Sequence, residues 1–151
     1  MSAGIARDTH VVVAALVERE GRFLLVEERV DGALKLNQPA GHWDRGESLL
    51  AAVRRETLEE SAWEVEPEAL LGAYAFEAPD LGYGFLRFAF ICRCLRHHPE
   101  RALDQGIERA VWLTRAELAA RRARHRGPAV LRCVDDYLAG KRYPLELVRE
   151  L

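Results

Sequence analysis

The chain of 151 residues has no apolar run long enough to span a bilayer, which argues against a membrane-spanning helix. Its first ten residues, MSAGIARDTH, lack the apolar stretch of a secretory leader, so export is not expected. Cysteine is scarce. Three of them, an odd number without framework spacing, give no obligatory disulfide and fit a reducing cytoplasm. An excess of either charge is missing as well: 22 Lys and Arg against 24 Asp and Glu leave a formal charge of −2. That balance provides no electrostatic footprint for nucleic acid or a membrane surface. There is no internal repeat. The length fits one domain, residues 1–151, large enough to bury a true core.

What is present reads as alternating strands and helices. HVVVAALVE (10–18) and the segment from Arg22 to Glu28 are two strands, and Glu20-Gly21 between them predicts a hairpin turn. Asp31-Gly32 marks a second turn, and Leu34 to Gln38 runs extended into Pro39. Further on, the pattern predicts strands at Leu70 to Phe76, Phe85 to Leu95 and Ala110 to Leu113, with Pro67 breaking the chain before the first of these. Thr114 with Glu117 is a capping-box pattern, and Pro128 opens a last helix that ends near Gly140. Strands on both sides of one helix, with helices at the end, predict an α/β/α sandwich on a mixed sheet.

The most informative segment is GHWDRGESLLAAVRRETLEESAW (41–63). From Ser48 to Ser61 it has no Gly or Pro and is rich in Leu, Ala, Arg and Glu, which predicts a helix. At about 100° per residue, Leu50, Val53, Thr57 and Leu58 share a broad arc expected to be buried. Glu56, Glu59 and Glu60 fall together beside it. Three like charges so close repel, and a helix has no structural reason to gather them. Hard carboxylate oxygens in such a cluster suit Mg²⁺, with Mn²⁺ as a possible substitute, against the oxygens of a diphosphate. The plainer alternative is a solvated acidic face with pairs such as Arg55 to Glu59.

The offsets of Gly41, Glu47, Arg55, Glu56, Glu59 and Glu60 resemble the Nudix box, G-x5-E-x7-R-E-U-x-E-E-x-G-U with U aliphatic. The resemblance implies a Nudix-type fold and a metal-dependent hydrolase of phosphoanhydride bonds. It also implies roles. Glu56, Glu59 and Glu60 would hold metal, Gly41 would add its backbone carbonyl, Arg55 would hold the carboxylates, and Glu47 would assist from an outer position. Three positions depart from the pattern: Thr57 at an aliphatic site, Ala62 at the second glycine, and Trp63 at the final aliphatic. Flanking segments Asn37 to His42, Phe85 to Phe88 and Arg142 to Glu146 resemble the NudJ-type phosphatase branch. That branch implies nucleoside di- and triphosphates or thiamine-type pyrophosphates as small-molecule substrates. A non-catalytic nucleotide-sensing module, or a hydrolase specialised for oxidised nucleotides or ADP-ribose, are the rival readings.

Outside the box, Asp104 and Glu108 precede the Ala110 strand. Glu108 is the candidate for a further acidic group, against an ordinary loop charge. Arg87 would reach substrate phosphate or pair with a carboxylate. Asn37 and Gln38 would hydrogen-bond a base or satisfy a strand edge. Cys92 and Cys94 have no second half-site and read as packing. The expected assembly is a monomer or a homodimer.

Overall fold

The computed structural model describes residues 8–78 and 81–151. Strands β1 (Thr9–Arg19), β2 (Arg22–Val30) and β3 (Ala33–Asn37) form a meander. Both of its turns have two residues at positive φ: Glu20 and Gly21 at 53° and 78°, Asp31 and Gly32 at 49° and 80°. That is type I′ geometry, whose twist matches the flanking strands and which favours glycine at the second position. Next come β4 (Ala40–His42), α1 (Leu49–Ser61), β5 (Trp63–Ala78), β6 (Tyr83–His97), β7 (Ile107–Leu113), α2 (Arg115–Ala120) and α3 (Ala129–Leu138).

The sheet is mixed, in the order β3-β2-β1-β6-β5, with β4 also paired to β1 and β7 to β2. β1 and β6 run parallel from Thr9 opposite Gly84 to Val17 opposite Cys92. β1 reads as continuously apolar because both sheet faces are covered. Val13, Ala15 and Val17 pack with Leu24, Phe90 and the α1 residues Ala52 and Val53. Ala14 and Leu16 point the other way, toward Leu118 of α2 and Val130, Cys133 and Val134 of α3. The result is the α/β/α sandwich expected from the sequence.

Two expectations need correcting. Pro67 does not break the chain; β5 continues through it for 16 residues. The register against β6 shifts between Pro67 and Ala69, a bulge that accommodates the missing N–H on the terminal strand of the sheet order. The buried face of α1 is also rotated. It consists of Ala52, Val53, Thr57 and Ser61, with Leu50 and Leu58 only partly covered. Thr57 Oγ1 donates to the Val53 carbonyl at 2.6 Å and Ser61 Oγ to that of Thr57 at 2.6 Å. Each hydroxyl is satisfied within its own helix, so threonine can occupy the aliphatic position without stranding a polar group.

Candidate active site

β4 delivers the site. It pairs antiparallel with β1, Val13 opposite Gly41, and the groups on its other side meet α1. The Ala40 N–H donates to Glu60 Oε1 at 2.9 Å, and the His42 carbonyl accepts from Arg55 Nη2 at 3.2 Å. Between them stands Gly41, where an added Cβ would collide with the Glu56 carboxyl group. The strand and helix can approach this closely because the side chain is missing. Gly41→Ala should therefore displace Glu56 and lower kcat/KM about 100-fold, the scale of a misplacement near 1 Å. Melting should change little, since the clash is with the flexible end of a side chain. Steady-state kinetics beside a thermal melt checks this.

α1 begins at Ser48, whose hydroxyl caps the helix by accepting from the Ala51 N–H at 2.9 Å. Glu47, just outside, accepts a forked pair from Arg55 at 2.6 and 3.1 Å and the Asp44 N–H at 3.1 Å. The Arg55 guanidinium holds the Glu47 carboxyl below its ordinary range, and in turn its own affinity for protons is raised, chiefly by Glu47. Arg55 Nη1 reaches Glu56 at 2.8 Å and Glu59 at 3.4 Å. One arginine thus meets four carboxylates, since Asp44 Oδ2 also lies 3.3 Å from Nη2 on its exposed side.

The loop after β6 is pinned to the end of α1. The His98 N–H donates to the Ala62 carbonyl at 2.8 Å and the Asp104 N–H to the Glu59 carbonyl at 2.9 Å. This second bond satisfies a carbonyl in the last turn of α1 and brings the Asp104 side chain alongside. Oxygen atoms of Glu56, Glu59 and Asp104 lie within 4.8 Å of one another. Burial pushes the Glu56 carboxyl up despite Arg55, with Glu59 and Asp104 adding repulsion. Glu60 is pushed up to about 8, first by burial, with the Ala40 amide opposing and Glu56, Glu28 and Asp104 reinforcing. Carboxylates that resist ionisation beside other carboxylates form a place that a cation would stabilise.

The sequence-derived residues therefore separate into groups. Gly41, Glu47, Arg55, Glu56, Glu59 and Glu60 converge, with Glu60 turned toward β4 and outside the trio of close oxygens. Asp104, passed over in favour of Glu108, joins them. Its turn is written as Asp104-Gln105-Gly106, with Gly106 at φ 92° and the Ile107 N–H returning to the Asp104 carbonyl at 3.0 Å. That signal marks the turn, but the docking onto α1 is tertiary. Glu108 instead forms an exposed ion pair with Arg29 at 2.8 Å. Arg87 is buried, donating to Asn37 Oδ1 at 3.2 Å and Gln38 Oε1 at 2.6 Å, while Gln38 donates to the Val130 carbonyl at 2.7 Å. So placed, Arg87 and Gln38 tie the end of β3, β6 and α3 together, while Arg87 Nε is left buried without a hydrogen-bond partner.

The other departures from the box are structural. Ala62 ends α1 in the left-handed region (φ 62°), its N–H bonded to the Leu58 carbonyl. Glycine prefers this conformation, yet the Ala62 methyl is buried, so relief of strain and lost packing should offset in Ala62→Gly. Ala62→Val adds a branched Cβ at positive φ and should cost about 2 kcal/mol, read as a lowered denaturation midpoint. Trp63 stacks on His97 at 4.6 Å and meets Trp112 edge-on at 5.7 Å, with Arg19 over both rings.

Residues 8–133 match the NUDIX domain. Phosphatase NudJ from Escherichia coli (strain K12) and from Shigella sonnei (strain Ss046) are each 37% identical over 139 residues, 92% of this chain and 90% of theirs. A NUDIX hydrolase structure from Nitrosomonas europaea superposes with a TM-score of 0.93 at 45% identity, covering 95% of this chain and 98% of that one.

Proposed function

This chain belongs to the Nudix family of hydrolases, and on that premise we propose that it uses Mg²⁺, or Mn²⁺ in its place, to hydrolyse phosphoanhydride bonds. The substrates we infer are nucleoside di- and triphosphates, with thiamine-type pyrophosphates as a related class. The observation that carries the reading is the convergence of Glu56, Glu59 and Asp104 beside the half-buried Glu60, with Arg55 holding Glu56 and Glu59. A donor set of carboxylate oxygens suits a hard divalent ion. Glu56, Glu59 and Asp104 would hold it, with Glu60 and the Gly41 carbonyl adjoining.

When bound, the ion would neutralise diphosphate charge and polarise water toward phosphorus. The protein's part is positioning. Arg55 keeps Glu56 and Glu59 in place while Glu47 anchors the far side of its guanidinium. Glu60, anchored by the Ala40 amide beside the trio, would stand ready to take the proton of the attacking water once a bound cation favours its charged form. Loop closure by the Asp104 amide sets the remaining carboxylate. No covalent nucleophile is required.

The test is a panel of nucleotides and thiamine diphosphate with Mg²⁺, products separated into orthophosphate and pyrophosphate. Metal-dependent release from at least one member is expected, and none from any would end the proposal. A module that senses nucleotide without cleaving it would show ligand-induced stabilisation and no product. The complete acidic set argues against that alternative.

A further inference from the structure

Arg87 carries a buried charge that packing does not explain. Its side chain is enclosed, yet among the described residues no carboxylate bonds it. Its donors meet the amide oxygens of Asn37 and Gln38, and Nε has no partner. Burial works against its charged form. A guanidinium held this way is unfavourable, and an apolar side chain of similar size fills such a place as well or better. An unsatisfied group of this kind calls for a role other than stability.

That role follows from where the fork is aimed. β1 and β2 pair at Glu18–Phe23 and Arg19–Arg22, beside their turn. Further along they take different neighbours, β1 pairing with β4 and β6, β2 with β3 and β7. The chain passes from one set of strands to the other at Gln38 and Pro39, between the end of β3 and the start of β4. Arg87 stands on β6 opposite Val12, on the face of Ala89 and Ile91 that α3 covers, away from α1. From there it reaches Asn37 on the far set of strands and Gln38 in the crossing. The crossing is held twice more: Gln38 donates to the Val130 carbonyl, and the Pro39 carbonyl accepts from the Ala15 N–H at 3.0 Å. The next two residues belong to the acidic site. The Ala40 N–H donates to Glu60, and the bare Cα of Gly41 makes room for Glu56.

We propose that Arg87 is a positioning residue for hydrolysis: its fork fixes the crossing at Gln38 and thereby sets where Ala40 and Gly41 stand against Glu60 and Glu56. It acts from the opposite face of the sheet and touches neither substrate nor metal. This rests on the hydrolase reading above and extends the site to a side chain that packing alone would not require.

The double variant Arg87→Met/Gln38→Leu removes the buried donor and acceptor together and leaves the half-buried Asn37 to water. It should melt within about 3 °C of wild type. Amide hydrogen exchange read by NMR reports the position without reference to turnover. Protection of the Ala40 amide should fall about 10-fold or more, while Leu25 and Phe90 keep theirs. With a nucleoside triphosphate and Mg²⁺, kcat should drop roughly 10- to 100-fold and KM stay within about 3-fold. Arg87→Lys keeps the charge, loses the fork, and should rescue neither reading. If the double variant fails to fold, Arg87→Lys decides by the same exchange measurement. An Ala40 amide as protected as in wild type, or lost protection with full turnover, overturns the proposal. A wild type that cleaves no phosphoanhydride ends the hydrolase reading instead, and the Ala40 exchange alone then decides whether Arg87 anchors the crossing.

Discussion

Glu56→Gln is expected to lower kcat/KM by about 10³-fold, about 4 kcal/mol of transition-state stabilisation, without lowering the melting temperature. The two halves of that result come from one geometry. Glu56 is packed against the space that Gly41 leaves open and shares its surroundings with Glu59 and Asp104. In the protein without metal its charged form is disfavoured, mainly by burial. Glutamine has the same shape, removes the repulsion, and still offers an acceptor to Arg55 Nη1. It cannot supply the negative charge that a divalent ion and a diphosphate require together. Single-turnover phosphate release and thermal melts of wild type and variant, side by side, decide the matter. Retained turnover with a melting point several degrees lower would make Glu56 a structural residue.

The sequence made the acidic cluster legible because its members are close in the chain. Helical periodicity places Glu56, Glu59 and Glu60 on adjoining positions whatever surrounds them. The Glu20-Gly21 and Asp31-Gly32 turns were legible for a similar reason, since two residues with positive φ demand a particular chemistry. The misreadings came from contacts across long separations. Asp104 and Glu108 are four residues apart and look equivalent in sequence, but a single backbone bond to Glu59 carries one to α1 while Arg29 takes the other. For Arg87 the sequence offers phosphate or a carboxylate as partner, yet it is buried and donates instead to the amide oxygens of Asn37 and Gln38. The arc of α1 was displaced because small residues, Ala52, Thr57 and Ser61, allow a closer approach than leucine. Size and hydroxyl satisfaction decided that packing, and hydrophobicity alone does not encode them.

The second large effect is a stability that falls with pH until metal restores it. Glu60 has its pKa raised from 4.5 to about 8, with burial as the leading cause. An acid raised in this way favours the folded state fully below the unfolded value. The contribution is lost as pH climbs from about 4.5 through about 8, because the unfolded chain releases the proton first. With EDTA present the loss should reach about 3 kcal/mol, below the full linkage value because Glu60 retains some solvent contact. For a chain of this size that corresponds to roughly 10 °C in melting temperature. Excess Mg²⁺ should return about 2.7 kcal/mol at a hundredfold excess over its dissociation constant. The return should grow toward pH 8, since the ion competes with the proton on these carboxylates. Glu60→Gln should flatten the EDTA profile. Melts at pH 5, 6, 7 and 8 with EDTA or Mg²⁺ provide the comparison. A wild-type EDTA profile as flat as that of Glu60→Gln would mean that Glu60 is solvated and already ionised, and that the carboxylates do not hold their charge in wait for a cation.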